Sequence, residues 1–153
     1  MSVALIREQI KTILSAVSNT GKIHEYERFC TDWSKFLDLF KDENEEINGW
    51  TISRKSSSQL IFAQGNDIQR IHHFLLTGFY GMQDEQASEL SFQDVIEAIV
   101  DKFYDYDTLN DTCFSIAPNP GEQVGIQVDM IENRIFGNVL CHYAELSLYV
   151  QEI

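Results

Sequence analysis

The sequence predicts an α+β domain: an antiparallel or mixed β-sheet with two main helices packed on it and one short extra helix. Three observations predict it. Apolar residues recur at three- and four-residue steps in two stretches, 3–17 and 92–103. Runs rich in β-branched and aromatic residues, joined by short polar breaks, lie between and after them. The two kinds of segment are grouped rather than alternating one for one, which favours antiparallel strands with helices on the sheet. With 153 residues, no internal repeat and no linker-like stretch, residues 1–153 read as one domain.

The first helix carries Val3, Ile6, Ile10, Ile13, Leu14 and Val17 on one face, with Arg7, Glu8 and Lys11 between them. Ser2 is placed to cap its start, and Asn19 and Gly21 to end it. Residues 23–29 read as a strand. Thr31 or Asp32 then caps a short helix whose stripe is Trp33, Phe36, Leu37 and Phe40. After the polar loop 41–46 come a strand at 47–54, a turn or flexible loop at 55–58, a strand at 59–63, a turn at 65–67 and a longer strand at 70–80. The second long helix starts at a capping box, Ser91-Phe92-Gln93-Asp94, with Leu90 stapled against Val95. Its apolar face is Phe92, Val95, Ile96, Ile99, Val100 and Phe103, and the pattern stops near Tyr106. A short strand at 112–116, a sharp loop at 118–121 and strands at 125–131 and 135–151 complete the chain. In the last strand Leu140, Ala144, Leu146, Leu148 and Val150 share one face, and Tyr143, Glu145, Ser147, Tyr149 and Gln151 the other.

Composition narrows the function. Hydrophobic residues make up 44% of the chain, enough for a packed core. The formal net charge is −13, which argues against a free nucleic-acid binder and against binding to anionic membranes. The opening MSVALIREQIKTIL has no basic region before an apolar core and reads as no signal peptide, and no apolar run is long enough to span a bilayer. Cys30, Cys113 and Cys141 are scattered and odd in number, as expected of free thiols in a reducing cytoplasm.

Motifs for chemistry are missing. His24, His72, His73 and His142 all fall in expected strands without metal-ligand spacing, and His72 and His73 must point to opposite faces. There is no nucleophile elbow and no phosphate loop, and Gly78-Phe79-Tyr80-Gly81 reads as a bulge or strand end. The acidic runs at 43–46 and 101–107 lie in polar stretches, where they read as solvated charge, and 105–111 lacks the glycine and final glutamate of a calcium loop. The sequence therefore predicts no catalytic residue, no cofactor and no metal. It does offer anchors for protein contacts: Trp50 with Arg54 and Lys55 ahead of a serine run, and Tyr143 and Tyr149 on the non-core face of the last strand. The alternatives are a hairpin tip with solvated charge for the first group and a second buried layer beneath a helix for the second.

A resemblance rests on Ile6-Arg7-Glu8-Gln9-Ile10-Lys11, Gly21-Lys22-Ile23-His24-Glu25-Tyr26-Glu27-Arg28, Asp32-Trp33, Lys35-Phe36 and Ile47-Asn48-Gly49-Trp50. It closes with Cys141-His142-Tyr143-Ala144-Glu145-Leu146-Ser147-Leu148-Tyr149-Val150-Gln151-Glu152. Over essentially the whole chain the order of elements resembles the tail-terminator, or tail-completion (neck), proteins of phages and prophages. The resemblance implies a virion protein that forms a homo-oligomeric ring, a hexamer. Such a ring caps the completed tail tube, stops its growth and meets the head-side connector protein and, in contractile tails, the sheath protein. DNA passes through it without specific binding, and no membrane is involved. The short helix at 31–42 departs from small members of that family. Two other readings remain: another head–tail joining protein, a stopper or adaptor, and a small acidic cytoplasmic binding or inhibitor protein.

Overall fold

The computed structural model describes residues 3–61, 68–118 and 121–153, with Ser34 described without its side chain. The expected Ser2 cap, the end of the 59–63 strand, the 65–67 turn and Asn119-Pro120 of the sharp loop lie outside the described residues.

The order is α1 (Val3–Ser15), β1 (Lys22–His24), α2 (Trp33–Phe36) running into a 3-10 turn (Leu37–Phe40), β2 (Asn48–Ile61), β3 (Ile68–Gly81), a 3-10 turn (Asp84–Gln86), α3 (Ser88–Tyr104), β4 (Ile126–Phe136) and β5 (Val139–Gln151). The strands form one mixed sheet in the order β1-β2-β3-β5-β4. Only β1 pairs parallel, with β2; the other neighbours are antiparallel. The fold is the expected α+β sheet with two main helices and a short extra one.

Period-two alternation sorts the sheet into two buried faces. Trp50 and Ile52 of β2, Phe74 and Leu76 of β3, and Ala144, Leu146, Leu148 and Val150 of β5 meet Ile6, Ile10, Ile13 and Leu14 of α1 and Phe92, Val95, Ile96, Ile99 and Phe103 of α3. On the opposite face Phe79, Cys141 and Tyr143 lie under Phe36, Leu37 and Phe40. Phe40 and Phe79 approach to 4.2 Å between ring centroids, within the range where aromatic pairs attract.

Several expectations are corrected. β2 is one strand, and the supposed turn at 55–58 lies inside it. Ser56, Ser57 and Ser58 pair with His73, His72 and Ile71, and a bulge absorbs Lys55. Pairing with β3 outweighs the low strand preference of a serine run. The strand expected at 23–29 shrinks to Lys22–His24, and that at 112–116 to one bridge between Ser115 and Gln151. The last two strands meet closer to the C-terminus than expected. Phe136 pairs with Val139 across a two-residue Gly137-Asn138 loop, with Gly137 at φ +63° as a primed hairpin turn requires. The helix α3 begins three residues before the expected box, after Ala87 in the left-handed region, with no side-chain cap. Leu90 is 64% exposed, so no staple forms.

Candidate functional site

Among the described residues the sheet is open at both sides. β1 covers only Gly49, Trp50 and Thr51 of β2, and every residue from Arg54 to Ile61 is exposed. At the far side β4 pairs, among the described residues, only with β5, and its residues from Val128 to Asn133 are exposed. Unpaired strand edges present rows of N–H and C=O groups ready for another strand. Both edges are lined with apolar side chains: Val128, Met130, Ile131 and Ile135 on β4, and Leu60 and Ile61 on β2 with Ile68 across the hairpin. Grouped exposure of this kind marks contact surfaces in soluble proteins.

The expected anchors divide. Arg54 and Lys55 are exposed on the β2 edge; Lys55 pairs with Glu27 at 2.9 Å, and Arg54 makes no ion pair among the described residues. Trp50 is 0% exposed and is corrected to a core residue. Alternation turns it toward the helices, where it meets Phe92, and its cross-strand partner Gly78 leaves room for the indole. Tyr143 is 8% exposed and is likewise no surface anchor. It belongs to the layer under α2, donates to Glu145 at 3.1 Å and carries the Arg134 guanidinium 3.8 Å over its ring. Burial first, and Glu145 second, push the Tyr143 phenol up to about 12. Tyr149 is half-buried and stacks on His73 with ring centroids 4.6 Å apart.

Two buried histidines sit in polar relays that the sequence did not signal. His72 lies between the Ser57 hydroxyl, 2.6 Å from Nδ1, and the Glu152 carboxylate, 2.9 Å from Nε2. A ring protonated on Nε2 donates to Glu152 and accepts from Ser57. Glu152 also meets Arg70 at 3.4 Å. Its carboxyl is raised by burial but lowered further by the His72 hydrogen bond and Arg70, and ends below the usual value. His142 lies between Ser88 Oγ and Asn133 Oδ1, each at 2.8 Å. The Ser88 oxygen in turn accepts the Gln83 N–H at 2.9 Å.

Each relay has the connectivity of a hydroxyl, a base and an orienting group. In each, both ring nitrogens have partners; Ser88 is buried and Ser57 is exposed. They serve to tie elements, His72 joining β2, β3 and the segment after β5, and His142 joining α3, β4 and β5.

No family model matches this chain. No curated protein matches it either. Among the described residues no group of three or more His, Cys, Asp or Glu is placed to hold a metal ion, and no helix is long and apolar enough to cross a membrane. The hollow beside His142, about 590 Å³, is lined by side chains such as Met82, Glu89, Leu90 and Leu140.

Proposed function

We propose that this chain is a structural virion protein that assembles into a homohexameric ring, caps the completed phage tail tube and joins it to the head-side connector. It performs no reaction and needs no cofactor. The observation that carries the reading is one sheet with a free, apolar-lined edge at each side. An edge that stays bare invites uncontrolled pairing, whereas a ring consumes both. The resemblance in element order to tail terminators supplies the tube and connector as partners, and the sheath protein in a contractile tail. The test is solution mass together with negative-stain imaging of purified tail tubes after adding the protein. A ring in solution or at one end of each tube is expected. A monomer that leaves tube ends bare would overturn the reading.

A second reading is favoured by the outer face of α3, where Glu89, Asp94, Glu97 and Asp101 are all exposed. Such a stripe suits a small acidic inhibitor that occupies a DNA site on a basic partner. It requires a one-to-one complex and no ring, so the same mass measurement separates the two.

A further inference from the structure

Of the three consecutive serines in β2, Ser57 is the one that meets a base. Ser56 lies opposite His73 and Ser58 opposite Ile71, and His73 turns its Nε2 to Ser147 at 3.0 Å. Ser57 lies opposite His72, and its hydroxyl is 2.6 Å from Nδ1. The base is sealed, at 1% exposure, and its Nε2 meets the Glu152 carboxylate at 2.9 Å. The serine is exposed. A buried imidazole, oriented by a carboxylate and accepting from an exposed hydroxyl, is the arrangement that raises the nucleophilicity of a serine. Tying strands together needs the histidine buried, but it does not need the serine within reach of solvent.

The surroundings supply room and a donor. Gln59 is two positions from Ser57 in a regular stretch of the ladder, so the two share a face. On that face a hollow of about 280 Å³ is lined by Gln59, Ile68, Arg70, Glu152 and Ile153. It sets two apolar side chains and a guanidinium beside the relay, with space for a short acyl chain. In an antiparallel ladder successive residues alternate between facing the partner strand and facing away from it. One of the Ser57 and Ser58 N–H groups therefore points out at the part of the edge that β1 leaves uncovered. Among the described residues no strand takes it, and it can donate to a carbonyl oxygen.

We infer that Ser57 is an acyl-acceptor site: with His72 as its base and Glu152 as the positioning residue, it takes the acyl group of an activated ester into the hollow beside Arg70. Ser57 Oγ bonds to the carbonyl carbon as its proton passes to His72 Nδ1. The bond from that carbon to the leaving oxygen then breaks, and the alcohol departs with the proton from Nδ1. The Nε2 proton stays on the ring throughout, held by Glu152. The chain is modified once and ends as the Ser57 ester, so the inference goes beyond the ring reading and does not depend on it.

The test treats the folded full chain with p-nitrophenyl acetate at neutral pH and maps the acetyl groups by peptide mass spectrometry. Ser57 is expected to be acetylated on the order of a hundredfold faster than Ser56 or Ser58, its neighbours serving as references in the same strand. The difference should vanish in urea-unfolded protein. In Glu152→Gln the amide can donate to Nε2, which moves the ring proton to Nδ1 and aims it at Ser57. That change should slow Ser57 acetylation at least about tenfold, while acetylation of exposed lysines such as Lys22 stays the same. Equal labelling of the three serines in the folded chain, or an unchanged Ser57 rate in Glu152→Gln, would overturn the inference. So would Ser57 labelling that keeps its rate after unfolding.

Discussion

Trp50 and Gly78 are one packing decision made by two residues. A Cβ added at Gly78 would lie 2.5 Å from the Trp50 ring, and that ring is held in the fully buried interior. Gly78→Ala is therefore expected to cost about 1–3 kcal/mol through overpacking, read as a lowered denaturation midpoint with an unchanged slope. His142 is a second residue with a measurable consequence. Burial holds its imidazole below the ordinary histidine value, against the opposing pull of Glu89. The unfolded chain then takes up the proton first. The stability this group contributes is complete above the ordinary value, about 6.5, and is lost as pH falls through that value toward the lowered one. His24, held low by burial against the Leu39 carbonyl, adds in the same direction. The melting temperature should fall between pH 7.5 and 5.5, and fall less in His142→Gln; an identical fall in that variant would remove His142 from the account. The thiols sort by burial as well. Burial pushes Cys113 up to about 12 and Cys141 up to about 11, whereas Cys30 is half-buried. A maleimide at neutral pH should label Cys30 alone in the native protein and all three cysteines after unfolding.

The elements with a complete stripe were legible. In α1 and α3 most residues at three- and four-residue steps are buried, Val3 and Val100 partly so, and Val17 is buried just past the end of α1, because a helix that must cover a sheet needs one continuous apolar face. Their ends were less legible. The start of α3 is set by Ala87 at φ +55°, a conformation that an alanine adopts only under the control of its surroundings. Ala87→Gly should stabilise the protein by up to about 1 kcal/mol, read by thermal melting. Leu109, Asn110 and Asp111 are three successive residues with positive φ, and Leu109 there is 0% exposed. Its burial offsets the unfavourable backbone, which a reading of local preferences counts only as a helix stop. The helix α2 and its 3-10 turn make the opposite point: Phe36, Leu37 and Phe40 predicted a stripe, but only the fold shows that Phe79 and Tyr143 form the floor beneath it.

Across the whole molecule the excess of acid has a place. Glu89, Asp94, Glu97 and Asp101 share the exposed side of α3, with Lys102 the helix's lone cation. In the ring reading an acidic wall lets DNA pass, since basic side chains would retain the phosphates. Changing Glu97 and Asp101 together to Lys should leave ring mass unaltered and create retention of double-stranded DNA that fades as salt is raised. Retention by the unaltered protein at low salt would instead place a basic surface in the channel.

The sequence alone determined the α+β class, the faces of the two long helices and the face of β5 that meets them. These depend on periodicity, and periodicity is a local property of the chain. It also placed Arg54 and Lys55 beside a polar stretch, which the structure finds exposed. Tertiary structure decided the rest. It carried β2 through the serine run, sealed Trp50 and Tyr143 inside, built the two histidine relays and, among the described residues, left β4 and the outer part of β2 without a further strand. Each of these depends on what a residue meets across the sheet: Gly78 opposite Trp50, His72 opposite Ser57, α2 over Tyr143. Such partners are 15 or more positions away in the chain, and only folding brings them into range.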